Sequence, residues 1–154
     1  MTTIVLHTPI KASLDEVFDL SRSIDLHLES AHKSNEKVIG GKSSGLLGPD
    51  ETVTWQGRHL GLLLSHTSKI ISYEKPFHFT DIMVKGNFTY FVHQHFFRKK
   101  GSHIEMIDVL KYRVPFGYLG RCLDRWLLKN HLTKFLSQRN AFIKRQAEQK
   151  ALYS

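Results

Sequence analysis

His93 and His95 stand two residues apart in an alternating run, Phe88–Arg98, and such a pair on a strand projects from one face, about 7 Å apart at roughly 3.4 Å per residue. A shorter alternating run, Phe77–Val84, precedes it across Lys85-Gly86-Asn87, and a third, His103–Val114, follows Lys99-Lys100-Gly101-Ser102. Both connections are turn chemistry. Period two places Phe77, Phe79, Asp81 and Met83, then Phe91, His93, His95 and Phe97, then Met106, Asp108, Leu110 and Tyr112, on one shared face. Imidazoles and carboxylates among aromatics and thioethers make a poor dry core, because buried polar groups need partners, and a natural cavity wall.

Such a face supports three kinds of chemistry. Two imidazoles and a carboxylate from Asp81 or Asp108 can converge on a zinc ion. A His93–Asp108 or His95–Asp81 pair can act as a base near neutral pH. Alternatively, the acids and histidines orient the polar end of an amphipathic guest, and Phe79, Met83, Phe91, Phe97, Met106, Leu110 and Tyr112 surround its apolar part. His-x-His on a strand is a weak metal signature without a third assigned ligand, and mutual hydrogen bonding of acids and imidazoles is the simpler arrangement. No metal and no cofactor are therefore expected. The sequence holds no Gly-x-Ser-x-Gly and no phosphate loop, and Cys122 falls in a helical stretch with no activating partner in view.

Positioning these residues takes the rest of the chain. Thr3–Thr8 alternates up to Pro9 and reads as a first strand. Ser13 is an N-cap for a helix starting at Leu14, with Glu16 at the capping-box position, and a second short helix is expected over Ile24–Ala31. Val38–Lys42 reads as a short strand, Ser43–Asp50 as a flexible loop, Thr52–His59 and Leu62–Tyr73 as longer strands. Trp55 and His59 share one face, and so do Leu64, His66, Ser68 and Ile70; turned inward, they add Trp55, His59 and His66 to the cavity.

From Tyr118 to about Ala151 the composition is that of a long helix. Its apolar residues form two stripes: Leu119, Leu123, Trp126 and Leu127 on one side, and Leu128, Leu132, Phe135, Leu136 and Ile143 nearly opposite. Either the segment breaks near Lys129-Asn130 or both sides are covered. Arg139 lies in the second stripe, to be read as a snorkelling surface arginine or as a partner for a carboxylated guest. About six strands in a meander need one face covered, and this helix is the only large element left to do it. The expected class is α+β.

At 154 residues the chain reads as a single domain, 1–154, with enough core to need no disulfide or metal staple. Its one cysteine excludes an intrachain disulfide and fits a reducing cytoplasm. The N-terminus MTTIVLHTPI has no signal-peptide pattern, and no apolar run is long enough to span a bilayer. The formal charge of +8 favours acidic partners, yet no nucleic-acid motif accompanies it, so no specific nucleic acid is expected. Much of the excess sits at Arg98-Lys99-Lys100 and along the last helix, as a solvated face.

Phe79-Thr80-Asp81, Gly86-Asn87-Phe88, His93-Gln94-His95-Phe96-Phe97, Met106-Ile107-Asp108, Tyr112 to Gly117 and Leu119-Gly120 resemble the SRPBCC (START-like) superfamily, within it the small ligand-binding branch often labelled cell-division-inhibitor-like. Pro49 to Trp55, Thr67 to Ile70, and Phe135 with Arg139 fit the same pattern. The resemblance implies a helix-grip fold, with a curved antiparallel sheet of six to seven strands around a long C-terminal helix and a cavity between them. It leaves the chemistry open, since such proteins include lipid carriers, hormone receptors and polyketide cyclases. The favoured reading is a binding protein for a small hydrophobic or amphipathic molecule. Its alternatives are an aromatase/cyclase- or dehydratase-like enzyme and an interaction module acting through its basic helix and the Ser43–Asp50 loop.

Overall fold

Seven alternating runs pair as one antiparallel sheet in the computed structural model, which describes Met1 to Ser154. The strands are β1 (Thr2–Ile10), β2 (Lys37–Gly41), β3 (Thr52–His59), β4 (Leu62–Glu74), β5 (His78–Lys85), β6 (Tyr90–Lys100) and β7 (His103–Arg113). Their order is β1-β7-β6-β5-β4-β3-β2, so β2 to β7 form a meander and β1 closes beside β7. Between β1 and β2 lie α1 (Leu14–Ser21), α2 (Ile24–Ser30) and a short 3-10 turn. After β7 the chain stays helical to the end: α3 (Gly117–Leu123), a π-helical turn at Asp124–Leu128, and α4 (Lys129–Tyr153). This is the α+β helix-grip fold.

Local chemistry accounts for the boundaries. Ser13 Oγ accepts from Glu16 N at 3.2 Å and starts α1; Ser23 Oγ does the same for Leu26 N and starts α2. The loop expected to be flexible is tied down: Ile24 N donates to Gly45 O, Leu47 N to Arg22 O and Gly45 N to Asp25 Oδ2, and Leu47 is buried. Strand register brings the polar face together, pairing Asp81 with His93 and Phe79 with His95, then His93 with Leu110 and His95 with Asp108.

Two packed clusters hold the sheet to the helices. The larger includes Ile10, Val17, Phe18, Ile70, Phe97, Met106 and Ile143, with the Phe18 ring edge-on to Tyr73, Phe79 and Phe97 at 5.3 to 5.5 Å. The smaller, Ile4, Leu110, Tyr112 and Leu136, sits nearer the start of α4. The Tyr112 hydroxyl and the Thr2 hydroxyl both donate to the Asp124 carboxylate, pinning the π-turn over β1 and β7.

The helix does not break near Lys129-Asn130, and the chain itself covers only one of its two apolar sides. The π-turn adds one residue to a turn, which rotates the apolar stripe by about 100°. Beyond it, Leu132, Phe135, Leu136 and Ile143 face the sheet; before it, Leu119, Leu123, Trp126 and Leu127 are exposed.

Candidate functional site

Between the two clusters the sheet and the last helix leave a cavity of about 220 Å³. Val53, Trp55, Leu64 and Ile70 form one wall, Phe79, Phe91 and Leu110 the next, and Leu128, Leu132, Phe135 and Leu136 close it from the helix. Ser65 and Asn87 are exposed, and Leu64, Phe88, Leu128 and His131 half-buried. The mouth therefore opens between the β3–β4 hairpin, the β5–β6 turn and the π-turn.

The floor is polar. Nε2 of His93 donates to Asp108 Oδ1 at 2.9 Å, and Nε2 of His95 donates to Asp81 Oδ1 at 3.0 Å. A carboxylate accepts only, so these nitrogens carry the protons. Nδ1 of His95 lies 3.0 Å from Asp108 Oδ1 but makes no hydrogen bond there, because the N–H direction misses the oxygen; the contact is ionic. Asp108, fully buried behind both rings, also accepts from Asn140 Nδ2 at 2.7 Å and lies 3.5 Å from Arg139 Nη1. Arg139 donates its other terminal nitrogen to Ser21 O at 2.7 Å. It is buried and paired inside, so it is no snorkelling surface arginine.

Electrostatics divides the two histidines. Burial would lower the His95 pKa, but close contact with the Asp108 and Asp81 carboxylates on its two ring nitrogens outweighs it and raises the group above its ordinary value. Burial, then the neighbouring His95 charge, pushes His93 down despite its bond to Asp108. Burial would raise both acids, yet the imidazole hydrogen bonds hold Asp81 low and Asp108 well below the usual range. The floor thus sets two carboxylates beside one guanidinium and two imidazoles, of which His95 is favoured protonated and His93 neutral; with His95 charged, the formal charges cancel. His93 Nδ1 and Asp81 Oδ2 have no protein partner, and both side chains line the cavity.

A second cluster lies along the cavity's other side. Glu36 accepts from His27 Nε2 at 2.7 Å and from His59 Nε2 at 3.0 Å, and His59 Nδ1 is 3.1 Å from His131 Nε2. Burial would raise Glu36, but the two imidazole bonds bring it down to about 2. The His27 ring also lies 4.1 Å from that of Trp55. Gly57 makes the cluster possible, since a Cβ there would fall 2.7 Å from Glu36 Cγ.

Of the residues singled out from sequence, Trp55, His59, His66, Phe79, Asp81, Phe91, His93, His95, Leu110 and Arg139 line the cavity. Five do not. Phe97 and Met106 lie under α1, packed on Phe18 and touched by the Ser21 hydroxyl; Tyr112 is turned to Asp124; Asp108 is covered by the His93 and His95 rings. Met83, near the end of β5, lies against Gly86. Sequence reading missed His27, Glu36, Phe88 and His131. His131 had a signal, standing one residue before Leu132 and four before Phe135 on the inward stripe. Glu36 had none.

Asp81, His93 and His95 bring ligand-type atoms within 4.8 Å of one another, close enough for a three-ligand metal site. As built, however, each imidazole is held by an acid, and an ion would have to displace the proton that two carboxylates stabilise on His95.

No protein-family model matches the chain, and no curated protein matches it in sequence. Solved structures match in fold. TTHA0849 of Thermus thermophilus aligns with a TM-score of 0.72 at 12% identity, covering 92% of this chain and 97% of that one. Protein CV1439 of Chromobacterium violaceum gives 0.69 at 10% identity, covering 95% and 96%. Major latex-like protein 151 of Panax ginseng gives 0.68 at 15%, covering 95% and 97%. The helix-grip architecture implied by the START-like resemblance is thus the architecture of the chain. No helix is long and apolar enough to cross a membrane.

Proposed function

We propose that the chain is a single-domain cytoplasmic binding protein for a small amphipathic molecule whose polar end carries a hydroxyl group. One observation carries this reading: on the floor side chains that line the cavity, His93 Nδ1 and Asp81 Oδ2 have no protein partner and both are acceptors, facing apolar walls from the sheet and the last helix. A guest that donates hydrogen bonds satisfies them, whereas a carboxylated guest would add an uncompensated charge. The lone cysteine supports a reducing compartment.

The test is calorimetric titration with an aromatic alcohol that fits the cavity and with its methyl ether. Tighter binding of the alcohol by about tenfold is expected, the worth of one buried hydrogen bond. Equal affinity for both, or binding of neither, sinks the reading. A second reading rests on the same atom. With Nε2–H held by Asp108, a neutral His93 presents a basic Nδ1 to the cavity, the arrangement of a general base in a cyclase- or dehydratase-like enzyme. Turnover of a bound molecule, followed by mass, distinguishes it.

A further inference from the structure

A group of apolar residues that the fold leaves uncovered runs from the end of β7 through the π-turn, beside the cavity mouth. Phe116 is 81% exposed and Trp126 79%, and Tyr118, Leu119, Leu123 and Leu127 between and beside them are all more than half exposed. Leu60, Leu62 and Leu63 are exposed on the β3–β4 hairpin, and the His59–His131 contact ties that hairpin to the start of α4. We propose that this end of the molecule docks on the surface of a bilayer containing anionic phospholipids.

Backbone conformation argues that these side chains are displayed rather than misplaced. Leu60 has φ 51° and Phe116 φ 68°, in the left-handed region where glycine or asparagine is the unstrained choice. Large apolar residues there disfavour the turn, and their exposure returns nothing to the core. Burial in a partner supplies the missing gain.

Charge identifies the partner. Arg121, Arg125 and Lys129 are exposed in the same stretch, while its only acid, Asp124, is buried under Tyr112 and Thr2. A second copy of a chain carrying +8 would set like charges against each other across a two-fold interface. Nucleic acid would meet the cations but leave the leucines wet. An anionic bilayer satisfies both, with aromatic and aliphatic side chains entering the interface and the cations meeting headgroups. Since no helix here can span a membrane, the contact lies along the surface. Leu128 and Leu132 continue the patch into the cavity wall, so a docked molecule would pass a guest between lipid and cavity without crossing open water. Docking itself does not depend on the cavity holding a guest.

Flotation of the full chain with phosphatidylcholine vesicles, with and without phosphatidylglycerol, tests the proposal. Binding to the anionic vesicles, weakened by added salt, is expected. The double variant L123S/W126S should bind about tenfold or more weakly, and so should R121E/R125E. All four positions are exposed, so thermal melts of these variants should match the wild type and rule out misfolding as the cause. The proposal is overturned if the wild type fails to float at low salt, or if charge reversal leaves binding unchanged. It is likewise overturned if sedimentation velocity finds a dimer that L123S/W126S dissociates, because the patch then belongs to a second copy.

Discussion

At the cavity floor two carboxylates, Asp81 and Asp108, face one imidazolium, His95, and one guanidinium, Arg139, with His93 held neutral. In the second cluster a single carboxylate, Glu36, serves two imidazoles, and one of them leans on a third, His131. The two clusters share residue types and one cavity, but their charge accounting differs. The floor is buried and compensated, so charge separation inside a low dielectric is avoided. The Glu36 cluster has one acid for three imidazoles. The floor is therefore suited to hold a neutral polar group, while the other cluster hangs on one carboxylate.

Asp108→Asn should have the largest effect, because it removes the one acid shared by His93, His95, Arg139 and Asn140. Leaving buried cations undercompensated costs about 3–5 kcal/mol, readable by urea denaturation at neutral pH. A loss under about 1 kcal/mol would mean that the floor is not a compensated network. The sign with pH follows from the depressed Asp108 pKa. Its contribution is present above the unfolded carboxylate pKa and is lost as pH falls, so the variant should show a shallower acid limb.

Glu36→Gln tests the other cluster. The folded pKa of about 2, against an ordinary 4.5, corresponds to about 3 kcal/mol of stability that is full above pH 4.5 and lost on the way down to about 2. The variant should be less stable by about that much at pH 7 and nearly equal to the wild type near pH 2. An unchanged slope of stability against pH between these limits would dissolve the distinction between the clusters. Gly57→Ala probes the same place without touching charge. Its Cβ would press on Glu36 Cγ, displacing the carboxylate, at a cost of about 1–3 kcal/mol.

The floor was legible in the sequence and the Glu36 cluster largely was not, for a physical reason. Asp81, His93, His95 and Asp108 lie on long alternating strands, where period two fixes the face and neighbouring strands can hardly slip. Glu36 precedes a five-residue strand and His27 sits on a short helix, so no period announces their meeting with His59. Which inward residues line the cavity and which fill the core was equally hidden. Phe97 and Met106 share a face with His95, but α1 lands on them, and where a short helix lands depends on packing rather than on its own spacing. The two stripes of the last helix were visible, while the π-turn that reconciles them was not, because it is fixed by the Tyr112 and Thr2 bonds to Asp124 across the fold.

His93→Leu separates holding a guest from holding the fold. It removes the free Nδ1 acceptor and one of the partners of Asp108, which keeps its contacts with His95, Arg139 and Asn140. Affinity for the alcohol should fall about tenfold and affinity for its methyl ether stay level. Loss of both in proportion would make His93 a wall residue only.

His131→Ala should give the smallest effect. Burial, and then the charges of His59 and Lys134, lower the His131 pKa. A histidine whose folded pKa is depressed binds protons more readily unfolded, so it subtracts stability as pH falls through its ordinary value of 6.5. The variant should lie within about 0.5 kcal/mol of the wild type at pH 7.5, as expected for a half-buried side chain away from the core. Its advantage should appear only on the acid side, as a smaller drop in melting temperature between pH 7.5 and pH 5. His93, whose folded pKa is also depressed, should show a gain of the same sign in His93→Leu, whereas His95, whose pKa is raised, contributes stability that is kept as pH falls. If His93→Leu shows no gain on the acid side, His93 is not held neutral and the division between the two floor histidines is lost.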